Sequence, residues 1–322
     1  MGGQFNAFTD KEYTGYWSKV DGKHLDLAID WVSDIFLNSR IDTKEIEKEK
    51  GVIIEEINMY LDEPINYIEW LWDKLLYGDQ PQGWFIAGEK EIIRTIKRND
   101  FIHYLKNHYS SHNTVIAIAG EINKADELKN KIKKHFGKIN TSQPKSKIVA
   151  VEKQNNPKIL VHEKKTDQAH LYIGFRAFDM FHKDKYVLDV LSAVLGGGMS
   201  SRMWISVREQ RGLAYYVRSA DVLYSDVGYY ATQAGVDNNR VEDAIRVILN
   251  EYKLIKNKKI NPKELRKAKD MIKGRTILSM ESSSIQTKFY AEQELFENKI
   301  LTLDKKFAKI EAVTAEDIQR VA

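Results

Sequence analysis

Two glutamates seven residues apart, Glu49 and Glu56, lie in the run EIEKEKGVIIEEINMY from Glu45 to Tyr60. The run reads as a helix, because Ile46, Ile53 and Tyr60 recur at a spacing of seven and form one apolar stripe. Stepping 46, 49, 53, 56, 60 alternates three and four residues, so both carboxylates are expected on the core side of that helix. A buried carboxylate is costly unless a cation, a metal or a raised pKa goes with it. Metal binding or acid–base work is the chemistry this spacing suggests. A rotated helix is the alternative, with Ile54 and Ile57 marking the stripe and the glutamates at its wet margin.

Other chemistry is thin. With no cysteine the chain has no disulfide framework, thiol nucleophile or thiolate metal site. His108 and His112 are four apart, but no acid sits between them as zinc helices require, and Ser110 and Ser111 end the helix there. The other histidines form no ligand spacing. GGGMSSR (196–202) lacks the Lys-Ser/Thr of a phosphate loop and reads as a bend after a helix. Lys+Arg is 50 against Asp+Glu 46, a net +4, which is too balanced to argue for nucleic acid. The Lys-rich runs at 129–138 and 256–269 carry helical apolar spacing, such as Leu128, Ile132 and Phe136, and read as solvated helix faces. No run reaches the roughly 18 apolar residues of a membrane span, and no signal peptide precedes Gly2, so the expected compartment is the cytoplasm.

The elements that must position these residues follow from pattern. Strands are expected near Gln4–Thr9 and Tyr13–Val20, and a helix over about 24–37. Glu45–Tyr60 comes next, then a helix opening at Pro64 and a short one ending near His108. Thr114–Ala119 (TVIAIA) reads as a buried strand. Residues 1–140 are expected to form one domain, 141–157 a polar linker and 158–322 a second domain. The second half predicts strands at Lys158–Glu163 and Ala169–Phe175, a helix over Lys185–Leu195, a short helix to Arg208, and strands at Ala214–Ser219 and Gly228–Ala234. The halves repeat: INPKELRKAKDMIKGR (260–275) lies on IDTKEIEKEKGVIIEE (41–56) without a gap, and 310–322 lies on 93–105. In that register Ala268 faces Glu49 and Arg275 faces Glu56, so the acidic pair belongs to one copy only. The fold class expected is α+β, with two copies of one unit. Each copy lacks an element that the other has, so the sequence looks clipped at both ends.

Five runs in order, GGQFNAFTDKEYTGY, EKEKGVIIEEI, YSSHNTVIAIAGEI, TDQAHLYIGF and GGGMSSR…REQRGLAY, make the chain resemble the insulinase/pitrilysin family of zinc peptidases, the inverzincins. The closest branch is the processing-peptidase-like one of short subunits. The resemblance implies two homologous domains, each an antiparallel-type sheet packed with helices, facing each other across a chamber. It implies a zinc-dependent endopeptidase that cleaves extended peptides with metal-activated water. By that resemblance Glu56 is the carboxylate ligand of Zn2+ and Glu49 a supporting acid near the zinc-binding histidines. Asn6 and Ala7 lie on the edge strand to which substrate backbone adds. Arg208 and Tyr215, spaced as RxxxxxxY, hold the scissile carbonyl and stabilise its oxyanion. The departure is the family's HxxEH helix, which carries the other two zinc ligands and the general base. No HxxEH occurs in these 322 residues, so the polypeptide as written is expected to be inactive. The partners implied are a peptide or unfolded polypeptide, with a homodimer or a heterodimer with a related subunit, and neither nucleic acid nor a membrane. A non-catalytic structural or partner subunit is the alternative.

Overall fold

Residues 2–322 are described here from a computed structural model. An antiparallel hairpin leads, β1 (Gln4–Thr9) paired with β2 (Thr14–Lys19), with Asn6 opposite Trp17 and Phe8 opposite Gly15. Six helices follow: α1 (Leu25–Leu37), α2 (Thr43–Asp62), α3 (Pro64–Tyr77), α4 (Lys90–Thr95), α5 (Arg98–His108) and α6 (Ala125–Phe136). Then come β3 (Gln168–Ala177), α7 (Lys185–Gly196), a π-helical turn (Trp204–Glu209), β4 (Ala214–Leu223) and β5 (Gly228–Asp237). The chain closes with α8 (Val241–Asn257), α9 (Pro262–Ser279), α10 (Ser283–Glu297), α11 (Leu303–Glu311) and α12 (Ala315–Val321). The α+β class expected from the sequence is the class observed.

The chain divides into two compact units built from interleaved segments. The first holds residues up to Met59, Phe85–Ile148 and Met280–Ile300; the second holds Tyr60–Trp84, Val149–Ser279 and Leu301–Ala322. Thus α3, the sequence neighbour of α2, belongs to the second unit, and α10, the successor of α9, to the first.

In the first unit, α1 packs on β2 and α6. Tyr16, Phe36 and Tyr109 make an aromatic cluster in which the Tyr16 and Tyr109 hydroxyls lie 2.7 Å apart. Helix α10 meets the hairpin through Phe296, edge-on to Tyr13 at 5.5 Å, and Glu292 accepts from the Tyr13 hydroxyl.

The second unit is built on a three-stranded antiparallel sheet of order β3-β5-β4. Alternation along β5 sends Tyr230, Ala234 and Val236 to one face, where α7, α8 and α9 bury them. Tyr229 and Ala231 go to the other, where Trp72, Leu76 and Tyr77 of α3 cover them. β5 is therefore buried on both sides, as its nearly polar-free run GYYATQAGV suggests. Its polar side chains are matched. Gln233 donates to the Ile65 carbonyl of α3 at 2.7 Å, and the Thr232 hydroxyl accepts from Tyr252 and meets Ser219 at 2.6 Å.

The repeat read from the sequence has a structural counterpart. α2 and α9 start at aligned positions, Thr43 and Pro262, as do α5 and α12 at Arg98 and Ala315. In both of the latter the N-cap N–H donates to the aligned aspartate three residues on, Lys97 to Asp100 and Thr314 to Asp317, and in α12 the Thr314 hydroxyl accepts in return to complete a capping box.

Two expected strands are absent. Thr114–Ala119 and Lys158–Glu163 carry strand-like sequence, but neither pairs with a strand among the described residues. β-Propensity marks a chain able to pair and does not supply a neighbour. Ile159, within the second of these segments, is 88% exposed.

Candidate functional site

On α2 the side of the helix that faces the core is not the one counted from Ile46, Ile53 and Tyr60 alone. Ile57 is 3% exposed, Ile53, Ile54 and Lys50 are half-buried, and Glu49 and Glu56 are both exposed. The expected core-side placement of the two carboxylates is therefore corrected. Turning the helix this way buries Ile57, half-buries Ile54 and leaves both carboxylates exposed, which avoids a desolvation cost of several kcal/mol per ion. The lysine that takes an inward position, Lys50, is satisfied by Glu47 at 2.7 Å and the Arg94 carbonyl at 3.2 Å.

The aligned positions of α9 differ. Ala268 is buried in the core with α7, and Arg275 donates to the Gly197 carbonyl at the end of α7. Met271, aligned with the exposed Val52 that lies between the glutamates, packs against the same core. One face of the repeated helix is thus covered in the second unit and open in the first.

Asn6 and Ala7 sit mid-strand on β1, every residue of which is exposed. β1 pairs with β2 on one side, and no described strand pairs with its other side. The Ala7 N–H donates to Asn6 Oδ1 at 2.8 Å, so the strand's own side chain closes one donor there.

Arg208 and Tyr215 come together. The π-turn closes with Gln210 N–H donating to the Ile205 carbonyl at 2.9 Å. Gly212, at φ +56°, then reverses the chain, a conformation that glycine adopts without cost. Its N–H donates to the Arg208 carbonyl at 2.8 Å, which fixes the backbone that carries Arg208. β4 starts with a bulge: Ala214 pairs with Val236 and Tyr216 with Gly235, which leaves Tyr215 as the extra residue. Freed from the ladder, Tyr215 is 73% exposed. The Arg208 guanidinium carbon lies 5.7 Å from the Tyr215 ring centroid and 4.1 Å from that of Trp204. The family resemblance pointed to Arg208 and Tyr215 but not to Trp204; its signal in the sequence was an aromatic four residues before the arginine.

A second group the sequence reading missed is Asp189 on α7, a lone acid in KYVLDVLSAVLG. Burial, and after it the negative field of Asp221, pushes its carboxyl up to about 6, against a smaller opposing pull from Lys306 and Lys185. Asp221 itself accepts from the Ser192 hydroxyl at 2.5 Å.

Whether these residues fit a metal can be tested directly. Among the described residues no group of three or more His, Asp, Glu or Cys side chains is placed to hold one. His112 lies in a short 3-10 turn beyond the end of α5, with its Nε2 3.1 Å from the Thr141 carbonyl, while His108 stacks near Tyr104. The residues present do not by themselves fit a zinc centre. No helix among them is long and apolar enough to cross a membrane.

Comparison with known proteins places the chain among relatives. Residues 1–82 match the family model described as insulinase (peptidase family M16), and residues 95–272 match the one described as peptidase M16 inactive domain. The chain is 36% identical, over its whole length and 78% of the relative's, to the uncharacterized zinc protease YmxG of Bacillus subtilis. It is 31% identical, over its whole length and 74% of the relative's, to the uncharacterized zinc protease Rv2782c of Mycobacterium tuberculosis. In fold it matches a protease from Helicobacter pylori with a TM-score of 0.90 at 24% identity, covering 99% of this chain and 78% of that one. An M16 inactive domain from Pseudomonas fluorescens matches with a TM-score of 0.87 at 18% identity, covering 99% and 77%.

Proposed function

This chain belongs to the insulinase family of peptidases, M16, and from that premise we propose that it acts in a zinc-dependent endopeptidase that cuts extended peptides. The metal's role in such an enzyme is to polarise the scissile carbonyl and activate water. Glu56 is the one ligand we assign to this chain, with Glu49 as its supporting acid and the histidines supplied from outside these 322 residues. The contrast between α2 and α9 supports that assignment: the α9 face is covered by α7, and the equivalent α2 face, with Val52 between the glutamates, is open to take a helix. The substrate backbone adds to β1 at Asn6 and Ala7, exchanging the local Asn6–Ala7 bond for its own.

The observation that carries the proposal is the pairing of Arg208 with Tyr215. A phenol on a bulge, exposed beside a guanidinium, can donate to a carbonyl oxygen as negative charge grows on it. If so, Tyr215→Phe and Arg208→Ala in the full-length enzyme both cut turnover, the former by about 10²–10³-fold, with KM changed far less. Zinc content and melting temperature stay at wild-type values. Near-normal turnover in both variants would sink the assignment.

A second reading, a non-catalytic partner of a related peptidase, is favoured by the match of residues 95–272 to the model described as the peptidase M16 inactive domain. It predicts that purified full-length protein cleaves nothing until a HxxEH-bearing relative is added. Homodimer or heterodimer formation, read by light scattering, belongs to the same proposal.

A further inference from the structure

Arg208 differs from its neighbours in what its side chain donates to. The other arginines of the second unit each donate to an acceptor of the protein: Arg202 to Glu264, Arg218 to Glu69 and Arg320 to Asp184 among them. Among the described residues the Arg208 side chain makes neither a hydrogen bond nor an ion pair, and its guanidinium is held only by two rings. The two rings are not equivalent. Tyr215 is exposed at the bulge and the more distant, whereas Trp204 is half-buried against the unit's core and only 4.1 Å away. An arginine side chain has much rotamer freedom to lose, and a flat, anchored ring removes it without using any of the five N–H donors.

We propose that Trp204 is a positioning residue: it holds the Arg208 guanidinium flat against the core so that its whole donor fork faces the carbonyl or carboxylate oxygens of a bound peptide. The inference rests on the function proposed above for Arg208 and goes beyond it in assigning Trp204, which no RxxxxxxY spacing includes. The contact is charge-to-ring, so its strength follows the aromatic face and not side-chain volume.

The test uses the full-length enzyme with Trp204→Phe and Trp204→Leu, each made also in the Arg208→Ala background. Both substitutions keep a large apolar side chain against the core. Trp204→Leu should lower kcat/KM by roughly 2- to 30-fold, the range such a contact supplies, with most of the loss in kcat. Trp204→Phe, which keeps a ring, should recover most of that loss. In the Arg208→Ala background the leucine should add nothing, because the residue it positions is gone. A leucine variant as active as wild type overturns the proposal, and so does an equal loss in both backgrounds, which would assign Trp204 to packing alone.

A second measurement does not depend on activity. Phenylglyoxal adds to guanidinium groups, and its adduct cannot lie flat between two rings. The rate of modification at Arg208, followed by mass spectrometry of its peptide, should rise in Trp204→Leu and stay near wild type in Trp204→Phe. Equal rates in all three proteins overturn the proposal. If Arg208→Ala leaves turnover intact, the functional reading of Arg208 fails separately, and the modification rates alone decide whether Trp204 holds it.

Discussion

Glu56 lies on the exposed side of α2, where a carboxylate keeps its hydration and a cation can reach it. If it is the zinc ligand of the full-length enzyme, Glu56→Gln abolishes metal retention after dialysis. Glu49→Gln weakens binding by about 10–100-fold, as loss of a residue that orients a ligand does. Full zinc occupancy in Glu56→Gln would refute the ligand assignment. At this scale the sequence showed the residues but not their surroundings. Seven-residue spacing identified Glu49 and Glu56, and the internal repeat set them apart from Ala268 and Arg275. The same spacing put them inward, because it weighed Ile46, Ile53 and Tyr60 and gave too little weight to Ile54 and Ile57. Tyr215 was found only through the family resemblance, by its RxxxxxxY match, and its exposure was not legible, since a bulge depends on how two strands happen to align.

Helix α7 carries the protein's clearest pH-dependent term. Asp189 is held up to about 6 by burial and by Asp221, whereas its ordinary value is 3.8. The raised folded value means that the native state keeps its proton where the unfolded chain has lost it. Stability from this group is therefore greatest below about pH 4, falls as pH rises through about 6, and is flat above. The shift corresponds to about 2–3 kcal/mol at neutral pH. Asp189→Asn should stabilise the protein at pH 7 by an amount of that order and flatten the urea-unfolding profile between pH 4 and 6. An unchanged profile would mean that Asp189 is hydrated in solution. Most elements were legible from periodicity: α2, α3 and α7 begin within two residues of their expected starts, and Pro64 opens α3 as its fixed φ favours. The failures were Thr114–Ala119 and Lys158–Glu163, where a strand-like sequence has no described strand beside it.

For the whole molecule, two measurements follow. The 322-residue polypeptide by itself should retain no stoichiometric zinc, since Glu56 alone does not make a site; stoichiometric metal held through Glu56 would refute this. The second concerns the interleaved units. A fragment from Val149 onward lacks α3, so Tyr229, Ala231 and Tyr172 lose the cover of Trp72, Leu76 and Tyr77. Exposing such a face removes a contribution of about 1.5–3 kcal/mol for each large side chain uncovered. The fragment should therefore lack near-UV circular dichroism until residues 60–84 are supplied in trans. A fragment that melts cooperatively without them would show α3 to be dispensable. That α3 covers the second unit's sheet was not readable from its apolar stripe, because periodicity says that a helix has a buried face and is silent on which sheet buries it.

The interleaving also governs when this protein can fold. The first unit is incomplete until Met280–Ile300 has been made, and the second until Leu301–Ala322 has. Chains usually fold domain by domain as they leave the ribosome, the earlier part first. Here neither unit has all its segments until residue 280 has been passed. The β1–β2 hairpin, with Phe5 and Phe8 on its surface, must wait for α10, which lies far along the chain at Ser283–Glu297. Ribosome-bound chains arrested before residue 280 should therefore stay protease-sensitive in both units, and chains arrested after residue 322 has emerged should gain protection.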